Sequence, residues 1–273
     1  MFQSIRYKSR FMAIFEMAEL VYYSTVRSVR TSHRNALMAL GVNILQSVIM
    51  VIAFYLFFEI LGLRGAKIRG DFLLFMMSGI FMFMTHIKAV NAVSGASGPT
   101  SPLMQHAPLN SLVAIVSAAL GALYLQVLSM SVILFVYYVV FNPFTIAHPI
   151  PAMGMFLLSW GTGCCVGLVL LALKPWFPTF VSMFTMIYQR ANMIASGKMF
   201  VVNTLPPMLY YMFSWNPLFH IIDQTRGFVF ANYFPHKTSL TYPMIIGVIL
   251  LVIGMMGEFY TRQYVSKSWG ARG

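Results

Sequence analysis

The chain has 273 residues, of which 59% are hydrophobic and only 9% are charged, and its mean hydropathy is +0.76. A soluble domain carries roughly 25% charged residues, so this composition excludes a water-facing globular protein and indicates a membrane protein. The 18 Lys and Arg residues outnumber the 6 Asp and Glu residues, for a net charge of +12. On a membrane protein that excess indicates contact with anionic lipid heads or an anionic substrate.

Residues 1–35 are predicted to form a cytoplasmic N-terminus that contains an amphipathic helix. Apolar residues recur there at three- and four-residue steps, at Phe11, Phe15, Ala18, Tyr22, Val26 and Val29. Basic residues fall on the opposite side, so we expect the helix to lie in the membrane interface; a soluble flanking helix is the alternative. Glu16 and Glu19 interrupt the apolar core that a signal peptide needs, so no cleavable signal peptide is expected.

Residues 36–262 are predicted to form the transmembrane domain. A spanning helix needs about 20 apolar residues, and six segments meet this requirement. They are residues 36–61, 72–93, 109–141, 152–173, 179–202 and 242–260. The sequence therefore predicts an all-α membrane protein with six transmembrane helices and both ends on one side.

Basic residues near the predicted spans indicate which side that is. They are concentrated before the first span and after the last, in the tail of residues 263–273, so both termini are predicted to be cytoplasmic. Arg64, Lys67 and Arg69 lie in a loop that this topology places outside, against the usual distribution of positive charge.

Two connecting segments differ from simple loops. Residues 94–110 are rich in Pro and Gly and contain no Lys or Arg, which favours docking onto a protein partner over lipid binding; a plain connector is the alternative. Residues 203–241 contain short apolar stretches broken by Pro206-Pro207 and Asn216-Pro217. Because the residue before a proline avoids the α conformation, these breaks predict short re-entrant or interfacial helices before the last span.

Motifs for catalysis and metal binding are missing from the sequence. There is no G-x-x-x-x-G-K-[ST] motif, so ATP hydrolysis by this chain is not expected, and no Cys and His residues stand at metal-ligand spacing. Ser214, His220 and Asp223 could be read as a hydrolase triad, but no G-x-S-x-G surrounds the serine. Cys164 and Cys165 are neighbours in an apolar run and are expected to pack rather than form a disulfide.

Polar residues in apolar surroundings are the remaining candidates. His220, Asp223 and Arg226 are three residues apart, so on a helix they share one side, and Asp223 is expected to pair with both neighbours. Arg190 lies near the middle of the fifth predicted span, where an ionisable residue is a functional candidate by default. Tyr210, Tyr211 and Trp215 belong to an aromatic group that indicates an interfacial belt or a surface for stacking sugar rings.

A sequence pattern within this region resembles that of a known family. The pattern W-N-P-L-x-H-x-x-[DE]-x-x-R is formed by Trp215, Asn216, Pro217, Leu218, His220, Asp223 and Arg226. Together with the order of predicted elements, it resembles the membrane subunit of type 2 ABC exporters, and most closely the capsular-polysaccharide export permeases. The resemblance covers nearly the whole chain and is strongest from Gly197 to Tyr260, which includes the stretch SGKMF. Asp223 stands where glutamate is usual.

The resemblance implies a homodimeric permease in the bacterial inner membrane. Each copy would bind a separate cytoplasmic ATP-binding subunit that holds ATP and Mg²⁺, while this chain itself would carry no cofactor. The coupling loop to that subunit would include Leu103, Met104, Gln105, His106 and Pro108. The cargo would be a lipid-linked and often acidic polysaccharide.

The candidate path for that cargo combines the polar and aromatic residues above. Its path or gate is expected to include Arg190, Lys198, Tyr210, Tyr211, Trp215, His220, Asp223 and Arg226. A periplasmic export adaptor is a further candidate partner, and nucleic acid is not an expected one. Arg64, Lys67 and Arg69 are expected to meet either the emerging acidic polymer or that periplasmic partner. Two alternatives stay open: a related permease for another cargo, such as an O-antigen, a teichoic acid or a lipid, and a membrane-embedded enzyme acting on lipid-linked sugars.

Overall fold

The computed structural model describes residues 10–32, 36–60, 71–96, 111–141 and 143–270. The helices in these ranges are α1 (Arg10–Ser32), α2 (Ala36–Ile60), α3 (Phe72–Ser94), α4 (Ser111–Val140), α5 (Pro149–Leu173), α6 (Pro178–Ala195), α7 (Pro207–Phe213), α8 (Pro217–Val229) and α9 (Thr241–Gly270), with a 3₁₀ turn at Val202–Thr204. The described ranges contain no β-strand, which confirms the predicted all-α class. The loop with Arg64, Lys67 and Arg69 and the proposed coupling residues 103–108 lie outside them.

Five of these helices are long and apolar enough to cross a membrane: α2, α3, α4, α5 and α9. Their bounds agree with the predicted spans to within three residues, apart from the end of α9. That helix continues to Gly270, so residues 263–270 of the predicted tail are helical. The chain is thus a multi-pass helical membrane protein, while the orientation of its ends stays a prediction.

The fifth predicted span differs from the prediction in length. Helix α6 ends at Ala195, seven residues before the predicted end, and it is not among the five spanning candidates. Its 18 residues extend about 27 Å, and polar residues such as Gln189 and Asn192 lower its apolar content. The chain then turns at Gly197 instead of continuing as a helix. A sixth spanning helix therefore stays a prediction.

Helix α3 lies at the centre of the bundle. Within its most apolar 18 residues 89% are buried, against 17% for α9, and it packs against α2, α4, α5 and α8. Its closest approach is to α5, where an added Cβ at Gly163 would lie 2.5 Å from the His86 carbonyl oxygen and one at Gly167 would lie 2.8 Å from that of Val90. Two glycines four residues apart therefore allow the helix backbones to meet.

Helix α1 packs along α4. The hydroxyl of Ser117 donates to the carbonyl of Val21, and Val29 is buried against Gly121. Of the predicted apolar face, Phe15 and Tyr22 are exposed. Two exposed aromatic side chains suit a lipid interface, and that placement stays a prediction.

Candidate functional site

The polar cluster belongs to an insertion between α6 and α9, residues 196–240, which we call the insertion segment. Helix α8 is largely buried and packs against α3, α5 and α9, whereas no residue of α7 is buried. The Cα of Lys198 would lie 3.0 Å from a Cβ on Gly79, seven residues into α3, or about 10 Å along the helix. The insertion segment therefore enters the bundle instead of lying only on its surface.

The segment begins with a turn that requires glycine. Gly197 has a φ of +77°, a conformation that favours glycine, and a Cβ there would lie 2.9 Å from the Phe219 ring. The neighbouring Ser196 closes α6 by donating its backbone N–H to the carbonyl of Asn192. Because the helix ends here, the carbonyls of residues 197–200 lack the donors that a continuing helix would supply.

Arg226 supplies hydrogen-bond donors to that turn. Its Nη1 donates to the carbonyls of Gly197 (3.0 Å) and Phe200 (2.8 Å), and its Nη2 donates to that of Lys198 (2.6 Å). The guanidinium carbon lies 3.9 Å from the centre of the Phe75 ring, and the side chain is fully buried. Burial lowers the pKa of Arg226 to about 10, which leaves it a cation at neutral pH. This arginine fixes an irregular backbone to α8.

Asp223 has different hydrogen-bond partners from those predicted. The Tyr233 hydroxyl donates to its Oδ1, and the Thr238 hydroxyl donates to its Oδ2 at 2.8 Å. Burial raises the pKa of Asp223, while the two hydroxyls and the nearby Arg226 act in the opposite direction. The described residues therefore do not form the predicted hydrogen-bonded pairing of Asp223 with both His220 and Arg226. The guanidinium is committed to the carbonyls, and the carboxylate holds residues 233–238.

His220 links the turn between α7 and α8 to the end of the insertion segment. Its Nε2 lies 2.7 Å from the carbonyl oxygen of Ser214, and its Nδ1 lies 3.2 Å from the backbone N–H of Ser239. Since Nδ1 faces a donor, it acts as the acceptor, and Nε2 carries the proton. Burial lowers the pKa of His220, which agrees with a neutral ring.

Asn216 explains the Asn-Pro step. Its Oδ1 accepts from the backbone N–H of Leu218, so it is the N-cap of α8, and Pro217 takes the first helical position, where no donor is needed. Its Nδ2 donates to the Oδ1 of Asn192 at 2.9 Å and lies 3.3 Å from the Ala195 carbonyl oxygen. The side chain thus caps α8 and holds its start against the end of α6.

Lys198 was predicted to line a path, and the structure places it inside the packed bundle. Its side chain is fully buried, with Nζ 3.4 Å from the centre of the Phe83 ring and 4.8 Å from that of Phe54. Among the described residues Nζ has no hydrogen-bond partner. Burial lowers the pKa of Lys198 to about 7. The amine therefore joins α2, α3 and the turn through two aromatic faces.

The other predicted path residues are on the surface of the single chain. Tyr211 and Trp215 are exposed on or next to α7, and the Tyr210 hydroxyl donates to the carbonyl of Lys237. Arg190 is exposed on α6 and contacts no carboxylate among the described residues. An exposed arginine this far along α6 remains compatible with a polar path, which stays a prediction.

Several polar contacts were missed from the sequence. Tyr233 and Thr238 lie ten and fifteen residues after Asp223, and no local spacing links them to it. Similarly, the Tyr188 hydroxyl lies 2.7 Å from Nε2 of the buried His86 and ties α6 to α3. The hydrogen bond from Lys88 on α3 to Gln46 on α2 was missed as well. Lys88 could have been singled out from the sequence, since it is a charged residue that interrupts the second apolar run.

Candidate metal ligands, the two cysteines and the hypothetical triad can be located in the described residues. They contain no group of three or more His, Cys, Asp and Glu side chains that could hold a metal ion. Cys164 and Cys165 are both free and partly buried, in agreement with packing. The hypothetical triad is also not assembled, because His220 meets the carbonyl of Ser214 while the hydroxyl of Ser214 is 3.4 Å from the Tyr211 carbonyl.

Comparison with curated proteins gives a distant relative. The chain is 22% identical over 185 residues to the polysialic acid transport protein KpsM of Escherichia coli, covering 68% of this chain and 71% of that protein. A second Escherichia coli protein of the same name matches over the same length with the same identity. No family model matches. The chain is therefore distantly similar to a polysaccharide transport protein.

Proposed function

We propose that the chain is the permease subunit of an ATP-driven exporter that moves a lipid-linked, acidic polysaccharide across the bacterial inner membrane. The observation that carries this proposal is the similarity to the polysialic acid transport protein over about two thirds of both chains. The multi-pass helical bundle agrees with a permease. The net charge of +12 agrees with an anionic cargo. A permease for another polymer or for a lipid is the same proposal with different cargo.

In this function the insertion segment is the outer gate. Arg226, Asp223 and His220 each hold irregular backbone, so their role is to keep the shape of the segment, and cargo contact falls to exposed residues. Tyr211 and Trp215 are candidates for stacking against sugar rings. Arg190 on α6 is the candidate for the charge of the polymer.

The proposed exporter needs other chains. ATP and Mg²⁺ would be held by a separate cytoplasmic ATP-binding subunit, since the sequence has no P-loop. Residues 103–108 would dock onto that subunit, a second copy of this chain would complete the path, and a periplasmic adaptor is a further partner to be tested.

Co-reconstitution tests the proposal. The full chain should co-purify with an ATP-binding subunit from the same cells and should stimulate ATP-dependent polymer export into vesicles. Leu103→Asp should abolish both, because a charge in an apolar docking site stays desolvated, whereas Ser101→Asp in the same segment should have little effect. Absence of any ATPase partner, together with turnover of a lipid-linked sugar by the purified chain alone, would favour the enzyme alternative.

A further inference from the structure

A second polar surface lies in the half of α3 remote from the insertion segment. The Nζ of Lys88 donates to Oε1 of Gln46 on α2, and the Nε2 of Gln189 on α6 donates to Oδ1 of Asn91 at 2.6 Å. Lys88 and Asn91 are three residues apart, so they share one side of α3. We call these four residues the Lys88 patch.

The Lys88 patch opens outward from the single chain. Gln46 and Asn91 are exposed, while Lys88 and Gln189 are half-buried. Lys88 lies six residues before the end of α3, or about 9 Å along a helix axis. Ionisable residues within spanning helices almost always face the bundle interior or a water-filled cavity. The patch is therefore placed to line a path that water enters.

The charge of the Lys88 patch has one sign. Lys88 is a cation, the other three members are neutral amides, and no carboxylate among the described residues contacts Lys88. An ammonium has three donors, and the described contacts of Lys88 use one of them. Free donors beside amides suit a carboxylate or phosphate on a chain that also carries hydroxyl groups.

We infer that the Lys88 patch is a binding site for the anionic groups of the exported polymer, with Lys88 as its central contact. This inference rests on the proposed function and adds the residues that hold the polymer on the side of the bundle away from the gate. Carboxylates and phosphates share the chemistry that the patch recognises. A phosphate could also come from a lipid headgroup, so the experiment has to separate the two sources.

Charge-selective thiol labelling tests the site without knowledge of the cargo. Asn91→Cys is made in the full-length chain with Cys164 and Cys165 replaced by Ser, and the protein is placed in phosphatidylcholine nanodiscs. Anionic and cationic methanethiosulfonate reagents are compared, each normalised to its rate with a free thiol. One positive charge about 6 Å away in water separates the two rates about tenfold. We expect this anion preference with Lys88, and its loss in Lys88→Gln.

Control variants keep the result interpretable. Lys237→Gln removes an exposed cation of the insertion segment, away from the patch, and should leave the preference unchanged. Gln46→Cys provides a second labelling position if Asn91→Cys lowers the yield of folded protein. A thiol that neither reagent modifies at either position, or a preference that survives Lys88→Gln, would overturn the site.

Protection of the thiol identifies the source of the anion. Oligosialic acid should slow labelling of Asn91→Cys at least threefold, neutral dextran should not, and Lys88→Gln should remove the protection. If phosphatidylglycerol in the nanodisc protects the thiol and oligosialic acid does not, the patch holds a lipid headgroup and the polymer assignment is wrong. The assay needs no ATPase, so a missing ATP-binding partner would count against the proposed function and not against an anion site.

Discussion

Arg226→Ala is the substitution for which the structure gives the clearest expectation. It removes three charge-assisted hydrogen bonds to the carbonyls of residues 197, 198 and 200 in a buried site. The Gly197 carbonyl also accepts the backbone N–H of Phe200, so two carbonyls lose their only donor. Each unsatisfied buried carbonyl costs about 1–3 kcal/mol, so the loss is roughly 2–6 kcal/mol. Because the total stability of a folded domain is about 5–15 kcal/mol, we expect the turn to open or the protein to lose its fold.

Two measurements on the detergent-solubilised full chain separate these outcomes. Thermal stability is measured by the loss of the monodisperse peak in size-exclusion chromatography after heating. Local opening is measured by maleimide labelling of a thiol introduced by Ser196→Cys, a position that is fully buried in the parent. Arg190→Ala is the matched control, since it removes an exposed arginine from the adjacent helix and should change neither readout.

The expected order of variants follows from donor geometry. Arg226→Lys keeps the charge but cannot place donors at three carbonyls together, so it should fall between the parent and Arg226→Ala. The double variant with Asp223→Ala should be no better than Arg226→Ala alone, because the stranded groups are carbonyls and not a lone cation. Parent-like stability together with a protected thiol at position 196 in Arg226→Ala would refute this reasoning.

Three further outcomes are expected. Gly79→Ala should lower the melting temperature, because its Cβ would lie 2.8 Å from Nη2 of Arg226. Gly154→Ala is the control and should not lower it, because nothing lies within 4 Å of that Cβ. Equal effects of the two substitutions in thermal scans would contradict the close packing at Gly79. Burial lowers the pKa of Lys198 to about 7, so between pH 7 and about 10 the unfolded state binds more protons and stability should rise with pH by up to about 1.4 kcal/mol per unit. Lys198→Met should abolish that slope in pH-dependent melting and Lys174→Met should keep it; a parent-like slope in the former would show another origin. Tyr188→Phe should cost about 1 kcal/mol through its lost hydrogen bond to a buried imidazole, and an unchanged denaturation midpoint would argue against that contact.

Most of the helical framework is predictable from the sequence because it depends on local composition. Long apolar runs give α2, α3, α4, α5 and α9 with bounds close to those expected, since the membrane sets their length. The Asn216-Pro217 break is also local, because an N-cap and a first-turn proline need only neighbouring residues. The existence of short helices before the last span followed from these breaks.

The end of α6 and the hydrogen-bond partners of the site depend on distant residues. The turn at Gly197 is held by a guanidinium 29 residues away and packs against Phe219, neither of which is visible from local sequence. The three-residue spacing on α8 correctly placed Asp223 and Arg226 near each other. It could not show that Arg226 donates its hydrogen bonds to backbone carbonyls or that Asp223 accepts its hydrogen bonds from two hydroxyls. Local periodicity predicts which residues share a side, and the tertiary fold decides what faces them.

The buried charges of the insertion segment make sense through the backbone that they satisfy. An isolated ion pair in a dry site seldom offsets the desolvation of its two charges. Here each charge also meets groups outside regular helix: Arg226 donates to three carbonyls of the turn after α6, and Asp223 accepts from the hydroxyls of residues 233 and 238. A chain that breaks its helix inside a membrane protein needs such donors and acceptors. Since the Arg226 side chain is fully buried, an anionic cargo does not reach its guanidinium, and the attraction for that cargo has to come from exposed cations such as Arg190.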